Sequence, residues 1–248
     1  MRVAVLSDLH VGSPPVPGAF GHDPAAFDRW LGSLLDTHDR VVLNGDVVQC
    51  DHTWAWGTVP QRRALDRALA AHPWLARRAA HPRVTWLPGN HDAIVATARG
   101  APPWLRLDGA TGALIVTHGD RFDPVLQGIT AVSHAATWAM GRARAAGLGA
   151  LADRLEGRDI SIKSARFQGD RGPYARGAAA LLAEHDADVV VLGHTHVACA
   201  QPVPGGLLLN PGSASRGLRA WVSVDLDRGT ARLCPGGGAP ERDLAWGG

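Results

Sequence analysis

Val3-Ala4-Val5-Leu6-Ser7-Asp8-Leu9-His10 opens the chain. A short β-branched-rich run passes, within two residues, into a carboxylate and an imidazole. Such a run reads as a buried strand. The same grammar recurs downstream. Residues 41–43 precede Asn44-Gly45-Asp46, and residues 84–87 precede Gly89-Asn90-His91-Asp92. Residues 113–117 precede His118-Gly119-Asp120, and residues 189–192 precede Gly193-His194-Thr195-His196. Five predicted strands therefore end in His, Asp or Asn beside Gly. In open α/β sheets the carboxyl ends of the strands form the ligand crevice.

Between the strands lie stretches of helical period, 23–36, 61–80 and 175–185. Strand–helix alternation in the first half predicts a parallel or mixed sheet covered by helices. Further short runs at 206–209, 221–226 and 230–233, joined by Gly- and Pro-containing turns, predict antiparallel pairing in the last third. The simplest synthesis is a two-sheet α/β sandwich. Residues 122–173 break the pattern. They offer apolar residues at helical spacing and no convincing strand, which predicts a helical cap insertion. The expected division is a core at 1–121, the cap at 122–173, the rest of the core at 174–234 and a C-terminal tail at 235–248.

The composition is that of a folded globular protein. In 248 residues 46% are hydrophobic and 19% charged, with a formal net charge of +2. Disorder and collagen-like structure are excluded, and so is the basic footprint of bulk nucleic-acid binding. No apolar run is long enough for a membrane span, and the N-terminus does not read as a signal peptide. A cytoplasmic protein is expected. Cys50, Cys199 and Cys234 are scattered, without a CxxC, and read as buried or incidental thiols.

The 12 histidines are the more telling feature. His22, His38, His52, His72, His81, His134 and His185 lie away from the Gly-flanked strand ends and read as structural. The other five lie at strand ends, four of them His10, His118, His194 and His196. Asp8-x-His10, on extended backbone, sends both side chains to one side. With Asp46 and Asn90 these make a mixed N/O set of seven candidate metal ligands. Such a set suits Mn²⁺, Zn²⁺ or Fe and disfavours Ca²⁺. Seven are too many for one tetrahedral zinc and enough for two ions sharing a carboxylate. Asp46, alone at its strand end, is the natural bridge. Two ions about 3.5–4 Å apart support in-line displacement at phosphorus by a bridging hydroxide. His91, the fifth, is the candidate to protonate the leaving oxygen, with Asp92 orienting its ring.

The joint pattern D-x-H, G-D, G-N-H-[DE], H and G-H-x-H resembles the calcineurin-like metallophosphoesterase superfamily. It appears as Asp8-Leu9-His10, Gly45-Asp46, Gly89-Asn90-His91-Asp92, His118 and Gly193-His194-Thr195-His196. The resemblance implies a four-layer αββα sandwich of two mixed sheets. It implies one metal held by Asp8, His10, Asp46 and His196, and a second held by Asp46, Asn90, His118 and His194. His91 would be the catalytic histidine. The expected function is a dinuclear metal-dependent phosphoester or pyrophosphate hydrolase, with Mn²⁺ the first choice of metal.

The insertion before G-H-T-H looks like the UDP-2,3-diacylglucosamine hydrolase branch, which houses acyl chains beneath a helical cap. Val125, Ile129, Val132, Trp138, Met140, Leu148, Leu151 and Leu155, with Trp54 and Trp56, are compatible with this. That branch has Arg where this chain has His91. Asn210-Pro211-Gly212-Ser213 resembles instead the tail motif of small bacterial phosphodiesterases of the superfamily. The alternatives are therefore a general phosphodiesterase or phosphoprotein phosphatase, and, from another class, a non-catalytic scaffold. Among the basic residues of 142–171, Lys163 and Arg166 are the candidates to hold substrate phosphate, since they lie near the return to the core. The expected partner is a small-molecule or lipid-linked phosphoester, with peripheral membrane contact through the cap.

Overall fold

A computed structural model describes residues 1–15, 18–51, 57–128, 130–151, 154–155, 169 and 172–246, with 128 and 130–137 described by backbone only. Among these residues eleven strands form two mixed sheets. The first runs β11 (Arg242–Ala245), β10 (Thr230–Cys234), β9 (Trp221–Asp225), β1 (Arg2–Leu6), β2 (Arg40–Asn44), β3 (Val84–Leu87). The second runs β4 (Leu105–Gly109), β5 (Gly112–Val116), β6 (Val189–Val191), β8 (Gly206–Asn210), β7 (Cys199–Val203). β1, β2 and β3 are mutually parallel, with Val5 opposite Val42 and Leu43 opposite Trp86. β5, β6 and β8 are likewise parallel.

The period-2 alternation of β1 decides the layering. Val3 and Val5 enter the core between the sheets with Leu114, Val116, Val189, Val191 and Leu209. Ala4 and Leu6 face the opposite way, into a core shared with Phe27, Leu31, Leu65 and Leu75. Both faces are buried, which is why the strand reads as a continuous apolar run. The helices on that side are α1 (Pro24–Thr37), α2 (Thr58–Ala71), α3 (Pro73–Ala79) and α4 (Ile94–Arg99). α1 starts where Asp23 accepts the Ala26 N–H at 2.6 Å, the usual role of an N-cap carboxylate. α7 (Pro173–His185) covers the far face of the second sheet through Tyr174, Ala178, Leu181 and Leu182. The result is four layers, helices–sheet–sheet–helix.

Several expectations are corrected. The single helix over 61–80 is two, because Pro73 lacks an N–H and His72 takes non-helical angles, φ −125 and ψ 72, at the break. The stretch read as a C-terminal tail, 235–248, contributes β11, which pairs antiparallel with β10. β4 and β7 were also not expected. All three are edge strands, whose polar residues or proline (Pro202 in β7) hide the apolar alternation. Within 122–173 the described residues form α5 (Pro124–Gly128) and α6 (Thr130–Ala145), and no strand. Val125, Leu148, Leu151 and Leu155 on this segment are 44%, 54%, 51% and 50% exposed, so they do not pack into the core. Among the described residues, no helix is long and apolar enough to cross a membrane.

Candidate metal centre

The loops that follow β1, β2, β3, β5 and β6 meet. Asp8, His10 and His196 each offer a ligand atom, and these atoms lie within 4.8 Å of one another. Nε2 of His196 stands 3.0 Å from Nε2 of His10 and 3.1 Å from Oδ1 of Asp8. A second group is Asp46, His118 and His194, with Oδ2 of Asp46 3.2 Å from Nε2 of His118. Asn90 adds its Oδ1 3.3 Å from the same nitrogen. A third group, His10, Asp46 and His91, shares members with the other two, so the centre is continuous and Asp46 lies in its middle.

The backbone gives up comfort to achieve this. Asp8, His10, Asp46, His194 and His196 all have positive φ, between 50 and 67. Left-handed conformations are uncommon for non-glycine residues and gather at functional sites. Asp8 and His10 therefore do not converge by extended alternation, as the spacing predicted, but because the chain turns at each of them. In the same way the turn through His194-Thr195-His196 sends one imidazole to each group. Gly45 combines a φ of 77 with the absence of a side chain, since a Cβ would fall 2.5 Å from Nδ1 of His118. A Cβ at Gly89 would fall 2.3 Å from Oδ1 of Asp46.

The imidazoles are held from behind. Nδ1 of His10 is 2.7 Å from Oε1 of Gln49, and Nδ1 of His118 is 2.8 Å from the Asn44 carbonyl. Each of these oxygens accepts, so Nδ1 donates and Nε2 is the nitrogen turned to the centre, the arrangement of metal-ligating histidines. Oδ1 of Asp8 is buried with no hydrogen bond, although two imidazoles face it. A buried carboxylate oxygen ringed by imidazole nitrogens is a donor set of mixed N and O type, and the residues fit divalent ions. Burial works against ionisation of Asp8, but His196 beside it holds the carboxyl well below the usual range. Burial, with His196 adding to it, lowers His10 to about 4 and keeps it neutral. Burial also opposes protonation of His118, yet Asp46 outweighs it and raises that group well above the ordinary value. Metal uptake there displaces a proton.

Asp92 has a different place from the one expected. Its fully buried carboxylate accepts the N–H groups of Gly89 (2.7 Å), Val47 (2.8 Å) and Asp46 (3.1 Å), and the Trp86 indole N–H (3.1 Å). It laces the G-D loop to the G-N-H-D loop and does not orient His91. That role falls to Asp51, whose Oδ2 is 2.7 Å from Nδ1 of His91. Gln49 reaches both, at 2.8 Å from Nδ1 of His91 and 3.2 Å from Oδ1 of Asp51. Neither residue ends a strand, so no pattern marked them. Asp123, which lies within the segment expected to form the cap, is fully buried with Oδ2 3.0 Å from Nε2 of His194. The 210–213 motif braces the ligand loops. Asn210 donates to the Gly193 carbonyl at 2.8 Å, and Ser213 Oγ donates to the Asp8 carbonyl at 2.9 Å.

All seven predicted ligands and His91 thus meet, while Asp92 lies behind them. Lys163 and Arg166 lie outside the described residues, as do Ile129, His52, Trp54 and Trp56; for Val132 and His134 only the backbone is described. His38 is a core residue bound to Ser223 Oγ and the Leu34 carbonyl, and His22 meets the Ala214 carbonyl. Arg144 is buried and Arg142 lies over the Trp138 ring.

Solved structures share the fold along nearly the whole chain at low identity. Vacuolar Protein Sorting 29 from Cryptosporidium parvum is 14% identical, with 98% of this chain and 97% of that chain covered and a TM-score of 0.52. Wild-type Vps29 from Entamoeba histolytica, complexed with Zn²⁺, is 16% identical over 99% of each chain, TM-score 0.51. Yfce, a phosphoesterase from E. coli, is 17% identical over 99% of each chain, TM-score 0.49. No curated protein matches the sequence. The model of the calcineurin-like phosphoesterase family matches residues 1–198, a span that contains every strand-end residue from Asp8 to His196, and the chain belongs to that family of metal-dependent phosphoesterases.

Proposed function

We propose that the chain hydrolyses a phosphodiester or pyrophosphate bond with two divalent ions in this centre, Mn²⁺ ahead of Zn²⁺ and Fe. The observation that carries the reading is the membership of Asp46 in two of the three ligand groups. Asp8, His10, Asp46 and His196 would hold one ion, and Asp46, Asn90, His118 and His194 the other. When bound, such ions supply Lewis acidity at the phosphoryl oxygens and a nucleophile of lowered pKa.

The chain's own residues do the rest. The centre is buried except at Asn90, His91 and His196, the last two 19% and 13% exposed, so substrate would enter beside these side chains. Asp51 holds the His91 ring through Nδ1–H, so Nε2, 3.8 Å from Oδ2 of Asp46, would pass a proton to the leaving oxygen from the imidazolium form, leaving the neutral Nδ1–H ring. Gln49 Nε2 donates to Oδ1 of Asp51 at 3.2 Å while its Oε1 accepts from Nδ1 of His10 at 2.7 Å, so the carboxylate that holds the His91 ring is fixed relative to a candidate ligand.

For the substrate we favour a nucleotide-linked pyrophosphate that carries acyl chains, of the UDP-2,3-diacylglucosamine kind. Support comes from the exposed Val125, Leu148, Leu151 and Leu155 on the 122–173 segment, whose Asp123 is in contact with His194. A second reading, a general phosphodiesterase or phosphoprotein phosphatase, is favoured by the His91–Asp51 pair, since the acyl-sugar branch has Arg at that position. Mn²⁺-loaded protein offered a diacylated UDP-sugar and an aryl phosphodiester separates the two. Turnover of the first supports the lipid-linked substrate, and turnover of the aryl diester alone removes it.

A further inference from the structure

We infer that Asp123 is a positioning residue for the second half of the centre, its carboxylate deciding which nitrogen of His194 faces the ions. The inference rests on the metal-centre reading above. Asp123 is fully buried and its two oxygens do different things. Oδ1 accepts the Val125 N–H at 2.8 Å, and the Asp123 carbonyl accepts the Gln127 N–H at 3.1 Å. Asp123 is therefore the N-cap of α5. Oδ2 stands 3.0 Å from Nε2 of His194.

An ionised carboxylate only accepts hydrogen bonds. The proton of a neutral His194 is thus drawn to Nε2, and Nδ1 is left as the lone pair. His194 offers a ligand atom within 4.8 Å of those of Asp46 and His118, and Asp123 belongs to no such group among the described residues. The carboxylate stands behind the ring and outside the ligand set. Packing restrains the ring but does not choose its tautomer. Tyr174 lies nearly parallel to it at 6.4 Å and 19°, and His118 meets it edge-on at 5.4 Å and 79°. The hydrogen bond to Asp123 makes that choice, and it ties the first turn after the core to a metal ligand.

Asp123→Asn separates the two duties, because Asn caps helices as well as Asp does. With its oxygen kept on Val125, the amide turns an N–H toward Nε2 of His194. Two donors cannot face each other, so the His194 proton moves to Nδ1 and the ligand lone pair is lost. Mn²⁺ titration by calorimetry, with the spin-coupled Mn²⁺ pair read by electron paramagnetic resonance, tests this. Wild type is expected to take two ions. Asp123→Asn is expected to melt near wild type without metal, to keep one ion at wild-type affinity, and to bind the other about 10–100-fold more weakly. Two ions at wild-type affinity in Asp123→Asn overturn the inference.

A second measurement needs no variant. Long-range ¹H–¹⁵N correlation on metal-free wild type is expected to show His194 in the Nε2–H form, and the Nδ1–H form overturns the inference. Wild-type protein that takes up no Mn²⁺ overturns the metal-centre reading itself, a result distinct from intact two-ion uptake by Asp123→Asn.

Discussion

Nδ1 of His91 donates to the Asp51 carboxylate across 2.7 Å, although the two residues come from different loops. On the proposed mechanism this relationship separates the side chains that would hold ions from the one that would move a proton. His91→Ala is expected to leave metal content unchanged and to lower turnover by roughly 10²–10⁴-fold. Asp51→Asn is expected to lower turnover by less, since the ring is still present. Metal analysis beside steady-state kinetics checks both, and loss of an ion from His91→Ala would contradict the division.

Asp46 behaves differently. Its Oδ2 lies 3.2 Å from Nε2 of His118 and 3.8 Å from Nε2 of His91, and its Oδ1 accepts the His91 N–H at 2.8 Å. Asp46→Ala is expected to lose both ions together, with metal content falling toward zero and no intermediate species of one tightly held ion. His196→Ala, by contrast, is expected to weaken one ion alone.

Asp92 is predicted to matter for stability. Removing its carboxylate leaves several buried N–H groups of the two ligand loops without an acceptor, and each such group costs about 1–3 kcal/mol. Asp92→Ala is expected to destabilise the fold by several times that of a typical surface substitution, on the order of 3 kcal/mol, measured by denaturant unfolding. An unchanged midpoint would contradict the lacing role.

Gly45→Ala is expected to damage the centre without replacing a candidate ligand. Its φ of 77 and the 2.5 Å approach of the new Cβ to His118 force that ring to move. Strain of about 1–3 kcal/mol and weaker binding of the ion at His118 should appear together in thermal unfolding and Mn²⁺ titration.

The cysteines are expected to be inert at neutral pH. Burial raises Cys199 to about 11. Burial, followed by the Glu241 charge, raises Cys234 to about 12. A thiol whose folded pKa is raised stays protonated, so its contribution to stability is full below about pH 8.5 and declines as pH rises through 11–12. Iodoacetamide should label neither at pH 8 until denaturant is added, and stability should fall on alkaline titration above about pH 9.

The strands and the ligands were readable because their signals are local. β1, β2, β3, β5, β6 and β8 are short apolar runs bounded by glycine and polar residues, and a chemically distinctive residue follows five of them. Position in the chain was enough to nominate Asp8, His10, Asp46, Asn90, His118, His194 and His196. Three things were not readable. The edge strand β4 is a short Leu-Arg-Leu-Asp alternation ending in glycine, and β7 and β11 carry proline or polar residues with too few apolar positions to show a period. The convergence of Asp8 and His10 depends on positive φ at both, which long-range packing imposes against local preference. The supports of the centre, Gln49, Asp51, Asp92 and Asp123, join loops far apart in sequence, as from Gln49 to His10, Asp51 to His91, Asp92 to Asp46 or Asp123 to His194. A carboxylate's partner is set by which loops the two sheets bring face to face, and no spacing along the chain encodes that.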